Sequence, residues 1–175
     1  MSVMGQPPFD AVVATHHAEI HRYLLRTTAR ASEAEDLAQE TFLRAYRAYR
    51  TLTPDANVRA WLFAIATNLT RNHFRAEGRR RRAHAEVRAS RAAAVADGPE
   101  HAALYNEARA RVEALVARLP LKQRLAFVLR RIHDLDYDTI ARSLDCSSES
   151  ARAHVFQALR KIRVSLDGRE LPHQE

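Results

Sequence analysis

A chain of 175 residues that is 46% apolar, with four glycines and six prolines, can build helical cores but carries too few turn residues for an all-β protein. Its 28 Lys+Arg against 21 Asp+Glu leave a formal charge of +7, a balance that suits a polyanionic partner. A lone cysteine, Cys146, excludes an intramolecular disulfide and an all-cysteine metal site, and no apolar run reaches the roughly 20 residues that cross a bilayer.

Residues 9–30 carry Phe9, Val12, Val13, Ile20, Tyr23 and Leu24 as the apolar stripe of a first helix, which breaks near Ala31 and Ser32. Ser32 and Glu35 have the spacing of a capping box and predict the start of a second helix. In it Ala34, Leu37, Ala38, Thr41, Phe42, Ala45, Tyr46 and Tyr49 are expected to face a core. Glu35, Asp36, Gln39, Glu40, Arg44 and Arg47 share the opposite side. A turn over residues 51–57 leads to a third helix from about Val58 to Glu77, with Trp61, Leu62, Ile65, Ala66 and Leu69 as its core stripe. Asn68, Arg71, Asn72 and Arg75 stand three, four and seven apart, so amides and guanidiniums gather on one side. Gly78, the run Arg79 to Arg82 and an Ala-, Arg- and Ser-rich stretch follow, with hardly a large apolar residue. That composition predicts a flexible linker, 84–103, between two small helical domains, 9–83 and 104–167.

The second domain opens with a helix over 101–118 and, after Pro120, another over 121–132. A turn at Asp134 to Asp136 separates these from a short helix, Tyr137 to Leu144, and a longer one from Ser148 to about Leu166, joined by Asp145, Cys146 and Ser147. Ile140, Ala141 and Leu144 on the first, with Ala151, Val155, Leu159 and Ile162 on the second, form the inner faces of a helix-turn-helix. In that motif the second helix enters the major groove, which would bring Ser148, Glu149, Ser150, Arg152, Ala153, His154 and Gln157 toward base edges. Arg160, Lys161 and Arg163 at the far end would meet phosphates or merely favour the helix C-terminus. All cations except Lys122 and Lys161 are arginines, which fits forked contacts to phosphate and guanine and equally fits a GC-rich genome.

Two segments together carry a family resemblance. One is Ala34 to Tyr46 (AEDLAQETFLRAY) followed by Arg59 to Leu69 (RAWLFAIATNL). The other is Leu119 to Arg124 (LPLKQR), then Tyr137 to Leu144 (YDTIARSL) and the helix after it. In this order they resemble the extracytoplasmic-function (ECF, group IV) sigma factors, the smallest class of the sigma-70 family. The resemblance implies an all-α transcription initiation factor whose first domain binds core RNA polymerase and the −10 element, and whose second binds the −35 element. It implies that Asp36, Gln39 and Glu40 dock on the coiled coil of the largest polymerase subunit, with a further contact to the polymerase flap. It also implies that Asn68, Arg71, Asn72 and Arg75 engage the melted −10 strand, where a base is taken out of the stack. Trp61 and Phe63 could assist melting, with Trp61 assigned mainly to the core. A cognate anti-sigma factor packing between or around the domains is a further implication.

The chain departs from the common family pattern at Glu149, where a small glycine is usual, and at His154 and Gln157, where arginine is frequent. Each change lowers positive charge at the DNA face, so weak −35 binding by the isolated second domain, or an unusual promoter, is expected. A conventional helix-turn-helix regulator would use residues 121–166 but leave the first domain without a purpose. An enzyme is disfavoured, because His16, His17, His73 and His84 lack metal-ligand spacing and no Gly-rich phosphate loop occurs. No cofactor and no metal are expected. Met1 to Asp10 lack both the basic start and the apolar core of an export signal, so the expected location is the cytoplasm.

Overall fold

The computed structural model describes residues 6–84 and 103–167. Among them the only regular elements are seven helices: α1 (Phe9–Thr28), α2 (Ala31–Tyr49), α3 (Val58–His84), α4 (Ala103–Ala117), α5 (Leu121–Arg131), α6 (Tyr137–Leu144) and α7 (Ser148–Leu166). The expected linker falls mostly on residues 85–102, outside the described residues.

Helices α1, α2 and α3 pack on one another through Ile20, Tyr23, Leu24, Ala34, Ala38, Ala45, Leu62, Phe63 and Ala66, all essentially inaccessible to solvent. Small residues on α2 (Ala34, Ala38, Ala45) let its axis approach the bulky residues of α1 and α3. At the centre the Tyr23 hydroxyl lies 2.8 Å from Thr67 Oγ1, so burying the phenol leaves no polar atom unmatched, and burial raises its pKa. In the second half Leu125, Val128, Leu129, Ile140, Leu144, Ala151 and Ala158 close a core among α5, α6 and α7.

Local chemistry sets the helix ends. Ala29 takes the left-handed conformation (φ 58°) and returns its N–H to the Leu25 carbonyl, which ends α1 two residues before the expected break. The capping box expected at Ser32 and Glu35 does not form. Helix α2 starts at Ala31 behind Arg30, and Glu33 pairs with Arg30 while Glu35 turns to Gln39 and His21. Asp136 caps α6 by accepting from the Thr139 N–H (2.8 Å), and Ser147 caps α7 by accepting from the Ser150 N–H (3.1 Å).

Helix α3 does not stop at Glu77. It runs through Gly78 and the four arginines to His84, because a single helical glycine costs only about 1 kcal/mol and the following arginines favour helix. Glu77 also bonds Arg81 one turn on (3.1 Å). Two residues assigned to core stripes also behave differently. Tyr46 is 64% exposed, lying edge-on to Phe9, and Leu159 is 38% exposed while its neighbour Ala158 is buried. Phe63, considered for strand melting, is fully buried.

The two halves are packed together: α6 lies on α3, and α5 and α4 touch α1. This contact positions the groups described next.

Candidate nucleic-acid interface

Helix α3 places Asn68, Asn72 and Arg75 on its exposed side, one turn apart, as their spacing required. Arg71 belongs to the same row but is only 8% exposed, because α6 covers it. Its Nη1 lies 3.5 Å from both the Ser143 carbonyl oxygen and Asn68 Oδ1. The exposed members offer amide donors and acceptors beside a guanidinium, the combination that reads base edges and phosphates.

On α2, Asp36 and Gln39 are exposed and Glu40 is half-buried, on the side turned away from α1 and α3. Glu40 accepts from Arg44 (2.6 Å), and Gln39 donates to Glu35 (3.4 Å). Leu43 (51% exposed) and Tyr46 (64%) extend this face, so it is amphipathic rather than simply acidic.

The first turns of α7 present Glu149, Arg152, Ala153 and Gln157 to solvent, with Ser148, Ser150 and His154 half-buried. Arg152 lies 5.2 Å from the centre of the Tyr137 ring and Arg130 lies 5.0 Å from it, so the α6 aromatic holds Arg152 by cation–π attraction. Gln157 accepts from Gln123 of α5 (2.8 Å), and Ser148 bonds Asp138 of α6. Glu149 stands in the first turn, where its charge complements the helix dipole. Burial, with Lys122 nearby, lowers the pKa of His154, so at neutral pH its ring does not add a cation to this face. One residue the sequence reading passed over is Phe156, 68% exposed between Arg152 and Arg160 on the same helix. Its signal was available: it stands one step off the buried stripe Ala151, Val155, Ala158, Ile162.

The three residue sets thus lie on separate elements, on α2, α3 and α7. Between the halves is a polar contact that the sequence did not suggest. Glu19 of α1 accepts from Arg59 Nε of α3 (3.0 Å), Arg59 Nη2 donates to the His133 carbonyl (2.7 Å), and His133 Nδ1 lies 3.2 Å from Glu19. Arg59 holds the Glu19 carboxyl below its usual range. Burial pushes the His133 imidazole below its ordinary value, Glu19 opposing and Arg26 and Arg59 assisting, so the contact favours the neutral ring. Arg124 Nη1 donates to the Thr27 carbonyl (2.7 Å) near the end of α1, and its guanidinium lies 5.4 Å from the Phe74 ring centre.

The strongest metal-like grouping among the described residues is Glu33, His73 and Glu77, whose ligand atoms lie within 4.8 Å of one another. Arg30 already donates to both carboxylates, which makes the group an ion-pair network tying α2 to α3. No described helix is long and apolar enough to cross a membrane.

Residues 12–80 match the family described as Sigma-70 region 2, and residues 109–162 match Sigma-70, region 4. The chain is 34% identical to the RNA polymerase sigma-H factor of Pseudomonas aeruginosa, over 90% of this chain and 86% of that protein. It is 29% identical to the ECF RNA polymerase sigma-E factor of Escherichia coli K12, over 95% of this chain and 88% of the relative. Among solved structures, the sigma factor RpoE in complex with the anti-sigma factor NepR, from Bartonella quintana, has the same fold. It superposes with a TM-score of 0.75 at 20% identity, over 91% of this chain and 96% of that one.

Proposed function

Because the chain belongs to the sigma-70 family of RNA polymerase sigma factors, we propose that it is a group IV, extracytoplasmic-function member acting in the cytoplasm under an anti-sigma factor. The protein is an alternative sigma factor, a transcription initiation factor. One observation carries the reading of its sites. A single chain holds an exposed amide and guanidinium row on α3 and a helix-turn-helix whose recognition helix presents Arg152.

In this reading residues 9–83 bind core polymerase and the −10 element, residues 84–103 link the domains, and residues 104–167 bind the −35 element. Asp36, Gln39 and Glu40 meet basic residues on the coiled coil of the largest polymerase subunit, and the chain also contacts the flap. Asn68, Arg71, Asn72 and Arg75 hold the melted non-template strand: the amides pair with the edge of an unstacked base and the guanidiniums take phosphates. The start of α7 reads the −35 duplex through Arg152, His154, Gln157, Ser148 and Ser150, with Glu149 limiting affinity by its charge. A relative solved with an anti-sigma factor supports the same kind of control here.

Core binding tests the α2 assignment. In the double variant Asp36→Arg/Glu40→Arg, affinity for purified core polymerase is expected to fall about tenfold or more, since two favourable contacts become repulsive. Helix content should not change, because both side chains lie on the outer side of α2 and the Glu40–Arg44 pair is worth little to stability. Undiminished core binding by a folded variant contradicts this docking face.

A further inference from the structure

We infer that the second domain is an intramolecular cover for the DNA-facing row of the first, held by a latch in which the α5–α6 turn inserts His133 between α1 and α3. The inference rests on the function proposed above.

The turn is shaped for insertion. Asp134 takes a left-handed backbone (φ 52°), and His133, just before it, is 6% exposed. The imidazole enters an aromatic pocket of the first domain, 4.8 Å from the Phe63 ring centre and 5.7 Å from that of Tyr23. The ring and the carbonyl of His133 both meet the first domain, the ring facing the Glu19 carboxylate and the carbonyl accepting from Arg59, while its N–H stays with the Val128 carbonyl of α5 (3.3 Å). A second point of attachment lies at the end of α1, whose last carbonyls lack helical partners. Arg124 supplies a cation to the Thr27 carbonyl there. Such charge-assisted bonds, half-buried and spanning 74 to 114 residues of sequence, have no role inside either helical core.

The consequence falls on Arg71. With α6 on α3, its guanidinium faces the Ser143 carbonyl and is withdrawn from any phosphate. Closure also conflicts with the geometry of a promoter. Elements centred near −35 and −10 are about 25 base pairs apart, or about 85 Å of duplex at 3.4 Å per step. A compact chain of this length has a radius of gyration of only about 16 Å. One closed molecule cannot reach both elements, so the latch must release before the promoter is held at both ends.

The test reads Arg71 directly in the full-length protein. Phenylglyoxal modifies accessible arginines, and site-resolved mass spectrometry compares Arg71 with Arg75, its exposed neighbour one turn on. In the wild type Arg71 should react about tenfold more slowly than Arg75, and in His133→Ala/Arg124→Gln the two rates should converge. Both changes lie in the second domain, and amide exchange in α1 to α3 verifies that the first remains folded. Glu19→Gln, a milder change on the other side of the latch, should move Arg71 the same way by a smaller factor. Equal reactivity in the wild type, or continued protection of Arg71 in both folded variants, overturns the latch. Run-off transcription with core polymerase should rise several-fold in the opened variant. An opened variant with unchanged output overturns the inhibitory role. Absence of transcription from wild type and variant alike would count against the sigma assignment instead, and Arg71 reactivity reads the latch independently of it.

Discussion

Replacing Asn68 by alanine should lower promoter-dependent transcription by about 10- to 100-fold while core polymerase binding persists. The side chain is exposed on α3 and its bond from Arg71 Nη1 is long (3.5 Å), so its loss does not threaten the fold. Its amide both donates and accepts, and a good bidentate contact to a base edge is worth about 1–3 kcal/mol. Asn72→Ala should act in the same direction. Arg75→Ala should instead weaken binding across promoter sequences and flatten its salt dependence, as expected of a phosphate contact. Run-off transcription with a parallel core-binding assay separates these outcomes. An Asn68→Ala protein that initiates as well as wild type removes this residue from the −10 site.

Leu129→Ala has the largest expected effect on stability. Leu129 is fully buried on α5, within the core that α5, α6 and α7 share, and such truncations cost about 2–5 kcal/mol. A helical unit of some 60 residues has about that much stability in total. The second half should therefore be largely unfolded in this variant, with −35 duplex binding lost. Helices α1 to α3, which have their own core through Tyr23, Leu24, Leu62 and Phe63, should keep their amide protection. Hydrogen exchange measured helix by helix checks this. Loss of protection in α1 to α3 to the same degree would mean that the two halves fold as one unit, contrary to the proposed domain division.

The helix-turn-helix was legible almost to the residue. The bounds Tyr137–Leu144 and Ser148–Leu166 agree with the expected ones, because turn residues and a clear apolar stripe coincide there. The row Asn68, Arg71, Asn72, Arg75 was legible from spacing alone, since residues three, four and seven apart share a helix face in any context. What failed depended on neighbours. Gly78 looked like a stop signal, but a weak local preference yielded to the helix on either side. Ser32 and Glu35 had the capping spacing, yet Arg30, Glu33, His73 and Glu77 form a network between α2 and α3 that fixes the helix start differently. Tyr46 and Leu159 sit at the edges of their stripes, where periodicity does not separate a buried flank from an exposed one.

The covering of Arg71 lay beyond any sequence reading. It depends on pairs such as Glu19 with His133 and Thr27 with Arg124, about a hundred residues apart and carried by no motif. Arg59 illustrates the limit. It stands in one of the segments that carry the family resemblance, but its bond to the His133 carbonyl follows only from how the two halves meet.

The most direct measurement of the central claim is run-off transcription on a pool of promoter fragments from the source genome, with purified core polymerase, with and without the protein. Transcripts that start at defined positions only when the protein is present are the predicted result, and they should fade with Asn68→Ala while core binding holds. A protein that binds duplex DNA through α7 yet neither binds core nor starts any transcript would contradict the account, and would leave a helix-turn-helix regulator in its place.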